Sequence, residues 1–471
     1  MCRGRGSDDI DLSQNRIKEI ARTAKENGIN VVRFQFVDTS LVLKAMVSHV
    51  DSLEENARNG IGIGRGAASM NAMSGVAPGS LYGPHSSEFR IVPDLGTYAP
   101  LPFARGSARF ISELHDLDMK PYQGDSRVFL KRAIRELDKL GYVPEVAFES
   151  EFFLLHKEGN AFAPNTAGFG TEGFIGNEGY NTANEFVQEL FPCLSQMNVS
   201  VSRLKKESGP GQIEVILNHT NAVKAADDLV TLRDAAKGLA HKMGFVATFL
   251  PKPLQNEGPS GLHIHLSVRD KRSGKNAFFD PKDRRKLAFS KLGYSFIAGI
   301  MEHIKGMMPL AAPVPNSYRR LFPSDVWVPI NVTYGYDNRS VAIRIPSRAN
   351  DPQGNSTRLE FRVPDGTANP YLILGMVILA GLDGVKRGGD PGEPFNEDAY
   401  QLTASDRERR GIEVLPTNLG EAIKEMKRDR FIRKALGDVI HDQYVKARES
   451  EWNTFSRTVT PWEIESFIQS L

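Results

Sequence analysis

The stretch AFESEFFLL, residues 147–155, places two glutamates inside an otherwise apolar run. Successive side chains of a β-strand point to opposite faces, so Glu149 and Glu151 are predicted to share one face. The apolar residues around them argue against a strand that is exposed to solvent on both faces. Two neighbouring buried carboxylates are costly unless cations neutralise them. The stretch therefore predicts a strand with apolar surroundings and both carboxylates on one face.

Three further strand-like segments repeat this alternation: GQIEV at 211–215, GLHIHLS at 261–267 and STRLEFRVP at 356–364. Each segment places its polar residues on one face. These are Gln212 and Glu214 in the first, with Glu207 from the loop before it, then His263, His265 and Ser267 in the second, and Arg358, Glu360 and Arg362 in the third. Any one segment alone is typical of a surface strand with cross-paired charges. Together the four segments predict a polar funnel rich in carboxylates, which suits Mg²⁺ or Mn²⁺.

The bulk composition excludes several classes of protein. The 471 residues include 59 basic and 57 acidic residues, so charge gives no reason to expect nucleic acid as a partner. The two cysteines, Cys2 and Cys193, form neither a disulfide framework nor a cysteine metal site. The N-terminus lacks the apolar segment of a secretory signal, and the apolar stretch 371–382 is too short to cross a bilayer. We expect a cytoplasmic protein without a membrane partner, with residues 371–382 in a buried helix.

Periodicity predicts two units, each of which contains both helices and strands. Helical spacing over residues 14–28 is followed by strand-like runs up to residue 115, which predicts a small N-terminal domain over 14–115. An amphipathic helix at 128–140 precedes the first glutamate-bearing strand and belongs to a second, larger unit. We place this second domain at 122–471.

The polar segments belong to a series of motifs in a fixed order. The series is FESEFFLL at 148–155, ESGPGQIEV at 207–215, FLPKP at 249–253, GLHIHLS at 261–267, NSYRRL at 316–321, NRSVAIRIP at 338–346 and RLEFRVPDGTANPYL at 358–372. In content and order it resembles the glutamine synthetase superfamily, type I-like, over nearly the whole chain. The resemblance implies a fold of the α+β class, with a small β-grasp N-terminal domain and a large catalytic domain with a curved antiparallel sheet. It also implies a homo-oligomer, a dodecamer of two hexameric rings with active sites between subunits.

The resemblance further implies a role for each matching residue. One metal ion would be held by Glu151, Glu207 and Glu214, and a second by Glu149, His263 and Glu360, with two or three Mg²⁺ or Mn²⁺ ions per site. Glutamate would be bound by Arg320, Arg362 and Gly261, and ATP by His265, Ser267, Arg344 and Arg358. Arg339 and Arg344 would be catalytic and face the phosphates. The implied reaction converts the γ-carboxylate of glutamate to a γ-glutamyl phosphate with ATP, and an amine then displaces the phosphate.

Two departures from the family pattern concern the amine. Members that use ammonium carry an aspartate in an F-D-G-S-S type segment, where this chain has GRGAASM with Arg65. They also carry a glutamate in a P-x-x-E-A-P flap, where this chain has PSDVWVP with Asp325 and Trp327. Losing both acids weakens attraction for a small cation, and an aromatic side chain suits a larger amine. We therefore expect a γ-glutamylamide synthetase, resembling the γ-glutamylpolyamine branch, with these three residues at the acceptor pocket. A glutamine synthetase proper and a non-catalytic relative are the alternatives.

Overall fold

The computed structural model describes residues 7–159, 161–164, 173–322, 327–348 and 350–469. The α-helices in these ranges are α1 (Ser7–Glu26), α2 (Leu53–Asn59), α3 (Ser126–Asp138), α4 (Asn177–Gln196), α5 (Ala222–Lys242), α6 (Lys291–Ala311), α7 (Ser317–Arg320), α8 (Pro370–Arg387), α9 (Ala404–Arg410), α10 (Leu419–Arg428), α11 (Arg430–Leu436), α12 (Asp438–Arg457) and α13 (Pro461–Phe467). The strands are β1 (Val31–Val37), β2 (Leu43–His49), β3 (Ile61–Gly64), β4 (Glu88–Pro93), β5 (Ala99–Pro100), β6 (Ser107–His115), β7 (Tyr142–Glu158), β8 (Ala161–Pro164), β9 (Val201–Lys206), β10 (Gln212–Leu217), β11 (Thr220–Asn221), β12 (Val246–Thr248), β13 (Leu262–Asp270), β14 (Tyr334–Tyr336), β15 (Ile343–Ile345) and β16 (Leu359–Phe361). Short 3₁₀ helices cover Val50–Ser52, Arg65–Ser69, Leu95–Thr97 and Ala399–Gln401.

The N-terminal sheet has the strand order β2-β1-β6-β4-β3, and β5 also pairs with β6. β1 and β6 run parallel, with Val31 opposite Ser107, whereas the other neighbouring strands run antiparallel. Phe34, Phe89 and Phe110 are fully buried in the core of this sheet, and α1 packs its apolar residues into the same core. The sheet thus has a hydrophobic core of its own.

The second sheet is organised around β7, a strand of 17 residues. Its order is β14-β15-β16-β13-β7-β10-β9, and β8, β11 and β12 also pair with β7. Neighbouring strands run antiparallel except for β14 and β15. Burial alternates along the first part of β7, and the run 152–155 is buried throughout. These features confirm the α+β class and the predicted buried strand, whose glutamates lie at the centre of the sheet.

The predicted buried helix is α8, which packs against α6 behind the second sheet. Asn369 caps its start by accepting hydrogen bonds from the N–H groups of Tyr371 and Leu372. A Cβ atom on Gly299 of α6 would collide with the backbone of Ala380 of α8, so glycine is required for this close approach. Among the helices of the described residues, none is both long and apolar enough to span a bilayer.

A network of ion pairs, here called the junction network, lies where the two sheets meet. It consists of Arg127 at the start of α3 together with Asp94, Glu113 and Asp227, which come from three different parts of the chain. The guanidinium lies 2.5 Å from Glu113, 2.8 Å from Asp94 and 2.9 Å from Asp227. Lys131, one helical turn later, adds a second cation to Glu113. The network ties the N-terminal sheet to the helices of the second sheet, while the domain boundaries stay a prediction.

Candidate active site

Strand register brings the polar segments of the sequence together. β7 pairs with β13 so that Glu149 lies opposite His263, and with β10 so that Glu151 lies opposite Glu214. On its far side, β13 pairs with β16 and so adds the polar residues of segment 358–362 to the row. Residues that are directly opposite in antiparallel strands lie on the same face. The sheet therefore gathers the predicted polar faces on one surface.

This surface forms a cavity of about 940 Å³. The sequence-predicted residues that line it are Glu149, Glu151, Glu207, Glu214, Gly261, His263, His265, Arg320, Trp327, Arg339, Arg344, Arg358, Glu360 and Arg362. Ser267 lines an adjoining cavity of about 340 Å³, and His265 and Arg358 border both cavities. Arg65 lines neither of these two cavities, and Asp325 lies outside the described residues.

Three carboxylates, Glu151, Glu207 and Glu214, form what is here called the acidic cluster. Each places one oxygen within 4.8 Å of the others. Burial and repulsion from neighbouring carboxylates raise the pKa of Glu151 and of Glu214, and burial also raises the pKa of Glu207. The backbone N–H of Gly261 donates a 2.8 Å hydrogen bond to Glu151. Buried oxygens held this close together form a donor set that fits Mg²⁺ or Mn²⁺.

The second group of candidate metal ligands contains two histidines rather than one. Nδ1 of His263 lies 3.4 Å from Glu149 and 3.3 Å from Glu360, and Nε2 of His265 lies 3.0 Å from Glu149. The guanidinium of Arg358 donates to Nδ1 of His265 at 3.0 Å, which leaves the proton of a neutral His265 on Nε2. Burial and a nearby arginine lower the pKa of His263 to about 4, so this ring is neutral, as a metal ligand must be. His263 is thus the better candidate ligand.

The ligand atoms do not group in the way that the sequence predicts. Among the described residues, the atoms that converge within 4.8 Å are those of Glu149 with Glu214 and His263, and those of Glu149 with His265 and Glu360. The predicted set of Glu149, His263 and Glu360 is therefore not itself such a group. Glu360 still joins the group with His265, and Nδ1 of His263 lies within 3.4 Å of both Glu149 and Glu360, so the predicted residues lie together at the cavity.

Arginines neutralise the other half of the cavity. Arg362 lies 2.5 Å and Arg344 lies 2.8 Å from the two oxygens of Glu360. Burial opposes the ionisation of Glu360, but the positive charge of Arg362 favours it, and the pKa of Glu360 is lowered. Arg320 is 2% exposed and donates to the backbone carbonyls of Val363 and Arg362. Gly261 faces Arg320, and a Cβ there would lie 2.8 Å from Nη2 of the arginine.

Lys205 and Phe174 are among the cavity residues that were not predicted from the sequence. Nζ of Lys205 lies 2.8 Å from Glu207 and 3.0 Å from Glu214. The same Nζ lies 5.2 Å from the ring centre of Phe174, whose ring contacts Trp327 edge-on at 5.7 Å. Alternation along KKE places Lys205 on the face of Glu207, so strand period offers a signal for it. Phe174 lies in a glycine-rich stretch of the sequence, where no period exists to predict its position.

Known proteins match this chain along most of its length. Residues 123–467 match the family model described as "Glutamine synthetase, catalytic domain". The chain belongs to the glutamine synthetase family. It is 33% identical over 457 residues to a glutamine synthetase of Methanosarcina mazei, which covers 96% of this chain and 98% of that protein. It is 31% identical over 457 residues to a glutamate–methylamine ligase of Methyloversatilis universalis, with 96% and 99% covered.

Solved structures of this family share the fold. A structure described as "GmaS/ADP complex-Conformation 1" matches with a TM-score of 0.83 and 26% identity, and covers 95% of this chain and 99% of that one. Family membership makes this chain a carbon–nitrogen ligase, as predicted. Ligases of the family use ATP, divalent metal ions, glutamate and either ammonia or an amine.

Proposed function

We propose that this ligase joins the γ-carboxylate of glutamate to an organic amine, through a γ-glutamyl phosphate formed with ATP. The observation that carries the choice of amine is the wall of the cavity beside the acidic cluster. Phe174 and Trp327 line the cavity there, and their rings are 40% and 50% exposed to it and to solvent. Aromatic faces bind alkylammonium groups through cation–π and apolar contact, whereas a bare ammonium ion gains little from the apolar part.

The names of the relatives are compatible with either acceptor, since both glutamine synthetases and a glutamate–methylamine ligase are among them. The sequence supports the organic amine because GRGAASM and PSDVWVP lack the acids that ammonium-using members carry at these places. Of the three residues proposed for the acceptor pocket, Trp327 lies at the cavity. Phe174 extends the proposal to a second aromatic ring.

In this proposal, the acidic cluster and the histidine-bearing group each hold one metal ion. Glu151, Glu207 and Glu214 would hold one divalent ion, and Glu149, His263 and Glu360 would hold the second. When bound, such ions neutralise charge that develops on the transferred phosphoryl group. Carboxylate oxygens and a neutral imidazole are the ligand types that these ions accept.

The arginines of the cavity bind and orient the substrates. Arg320 and Arg362 would meet the carboxylates of glutamate, next to the side-chain-free Gly261. Arg339 and Arg344 would face the phosphates, because a guanidinium can donate two parallel hydrogen bonds to phosphoryl oxygens. The nucleotide would extend into the adjoining cavity, which is lined by His265, Ser267 and Arg358. The apolar side chains that also line this cavity and would contact a base are Ala147, Ile216, Leu217 and Leu266.

Arg65 bears on the assembly of subunits. Its guanidinium lies 2.5 Å from Asp116 and 4.5 Å from the ring centre of Phe89, so it is held away from the cavities of its own chain. An acceptor pocket that includes Arg65 would therefore lie between subunits, as in the proposed dodecamer of two hexameric rings. A solution mass close to twelve times the 52.2 kDa chain is the expected result. Full activity in a monomer would contradict the arrangement.

Phosphate release across a panel of amines tests the choice of acceptor. The purified enzyme, with glutamate, ATP and Mg²⁺, is given ammonium, methylamine, ethylamine, isopropylamine, ethanolamine or an aliphatic diamine. We expect at least one organic amine to exceed ammonium in kcat/KM by about tenfold or more, which corresponds to the cation–π and apolar contact of one aromatic wall. Ammonium as the best acceptor would instead make the chain a glutamine synthetase proper.

Substitution of the two aromatic residues tests whether their rings bind the amine. Trp327→Ala and Phe174→Ala should each raise KM for the preferred amine by about 5–30-fold, the range of a partly desolvated cation–π contact. KM for glutamate should stay unchanged. Phe162→Ala is the matched control, because Phe162 is 48% exposed but lines neither cavity. An equal effect of all three substitutions would argue against an aromatic acceptor site.

A further inference from the structure

Lys205 occupies an unexpected position among the carboxylates. It lies on β9, and its Nζ bridges Glu207 and Glu214 at 2.8 and 3.0 Å. Glu214 is 2% exposed, and the oxygen nearest Lys205 has no aligned hydrogen-bond donor among the described residues. The positively charged amino group of Lys205 therefore lies beside a buried pair of carboxylates that needs a positive charge. The contact supplies charge without satisfying the geometry of a hydrogen bond.

The same oxygens are the ones that a metal ion would use. Mg²⁺ binds carboxylate oxygens at about 2.0–2.1 Å, so an ion held by Glu207 and Glu214 would lie within a few ångströms of the lysine ammonium. Two cations at that separation repel each other strongly in a site with little solvent. Lys205 and a divalent ion therefore cannot both hold these two carboxylates at their best distances.

The surroundings offer the lysine a second position. Its stem has four flexible carbons, and the Lys205 side chain is 30% exposed toward the open cavity. The ring of Phe174 lies 5.2 Å from Nζ and can keep a cation–π contact with the ammonium when it leaves the carboxylates. Displacement would thus move the charge toward the cavity, where the substrates carry negative charge.

We propose that Lys205 is an internal competitor for the metal ion of the acidic cluster. Its ammonium holds Glu207 and Glu214 together in the metal-free protein, and the entering ion displaces it. The lysine thereby weakens metal binding at this cluster and sets the metal concentration at which the site fills. The inference rests on the proposed metal-binding role of the acidic cluster, and the experiment separates the two.

Mn²⁺ binding to the metal-free protein, without substrates, measures the competition directly through the electron paramagnetic resonance signal of free Mn²⁺. Lys205→Met removes the charge but keeps the length of the stem, and it should tighten binding at one site by about tenfold or more, the scale on which groups around metal ligands act. Arg203→Met is the matched control, because Arg203 lies two residues earlier on β9 and lines the cavity but has no ion pair with the acidic cluster. Unchanged or weaker binding in Lys205→Met would overturn the competition.

Two further measurements keep the result interpretable. Glu214→Gln should lose one Mn²⁺ site, and if it retains every site, the proposed metal role fails rather than the competition. Reductive methylation of the wild-type protein, read by mass spectrometry, reports the release of Lys205 even if Lys205→Met does not fold. Mg²⁺ should increase the labelling of Lys205 relative to the other lysines. Labelling that falls or stays constant would show that the ion does not displace the lysine.

Discussion

The junction network and the acidic cluster each bring three carboxylates together, yet they differ in how the charge is neutralised. In the junction network, Arg127 and Lys131 supply two cations, and the guanidinium reaches all three acids. Although burial opposes it, hydrogen bonding and these cations lower the pKa of Glu113 to about 2. In the acidic cluster, the only described cation that pairs with the carboxylates is Lys205, and all three pKa values are raised.

The difference separates a structural use of buried charge from a functional one. A network whose acids are fully paired holds two parts of the chain together and needs no ligand. In a cluster whose acids are not fully paired with cations, burial and repulsion between the carboxylates lower stability. A divalent cation relieves this repulsion when it binds. The same number of carboxylates therefore leads to opposite expectations for stability and for activity.

The largest expected effect comes from removing one carboxylate of the acidic cluster. Glu214→Gln keeps the shape of the side chain but removes its charge, and turnover should fall by about a thousandfold or more, because a catalytic ion contributes several kcal/mol. The metal-free protein should not lose stability, since repulsion with Glu149 and Glu151 is relieved. Phosphate release and urea unfolding measure the two effects. Retained turnover would contradict the proposed role of Glu214.

Much of this cavity is predictable from local sequence. Alternation in four segments is sufficient to predict which side chains share a face, because strand period is a local property. The register that places Glu151 opposite Glu214 depends on pairing between distant strands, and only the resemblance to the family indicates it. Lys205 follows the same alternation, yet the positive charge of a lysine argues against a place beside metal ligands.

The junction network could not be predicted from the sequence. Arg127 and Lys131 lie on an amphipathic helix whose charged residues are typical of a solvent-exposed face. Their partners come from β6, α5 and the turn after β4, and no sequence pattern connects these distant segments. Packing of the N-terminal sheet against α3 and α5 is what buries most of this charge. The helices and strands of the two units are thus readable from periodicity, whereas the contact between the units is not.

The next effect in size is expected at the junction network. Arg127→Met removes the guanidinium that pairs with the largely buried Glu113 and Asp227 and with the 35% exposed Asp94. It should lower the free energy of unfolding by about 3 kcal/mol or more. Lys131→Met is the matched control on the same helix, because the Lys131 side chain is 33% exposed and its loss should cost less than about 1 kcal/mol. Urea unfolding measures both, and kcat per folded molecule should change little. Equal losses in the two variants would contradict a structural role centred on Arg127.

The smallest expected effect is the pH dependence of the metal-free protein. Burial and mutual repulsion raise the pKa values of Glu151, Glu207 and Glu214 above the value of about 4.3 for glutamate in an unfolded chain. Above that pH, the folded cluster keeps protons that the unfolded chain has released, so its contribution to stability falls as pH rises. The opposite holds for Glu113, whose lowered pKa leaves its contribution complete above about pH 5 and lost only on acidification.

Urea midpoints of the metal-free protein between about pH 5.5 and pH 8.5 therefore distinguish the two regions. Wild type should lose about 1–2 kcal/mol over this range relative to Glu214→Gln, in which the repulsion is reduced. Glu113→Gln should be less stable than wild type by the same amount at every pH in the range. Saturating Mg²⁺ should flatten the wild-type profile, because bound metal replaces the protons of the acidic cluster. Parallel profiles for wild type and Glu214→Gln would mean that the charges of the acidic cluster are neutralised within the chain, as they are in the junction network. No repulsion between carboxylates would then remain for a metal ion to relieve.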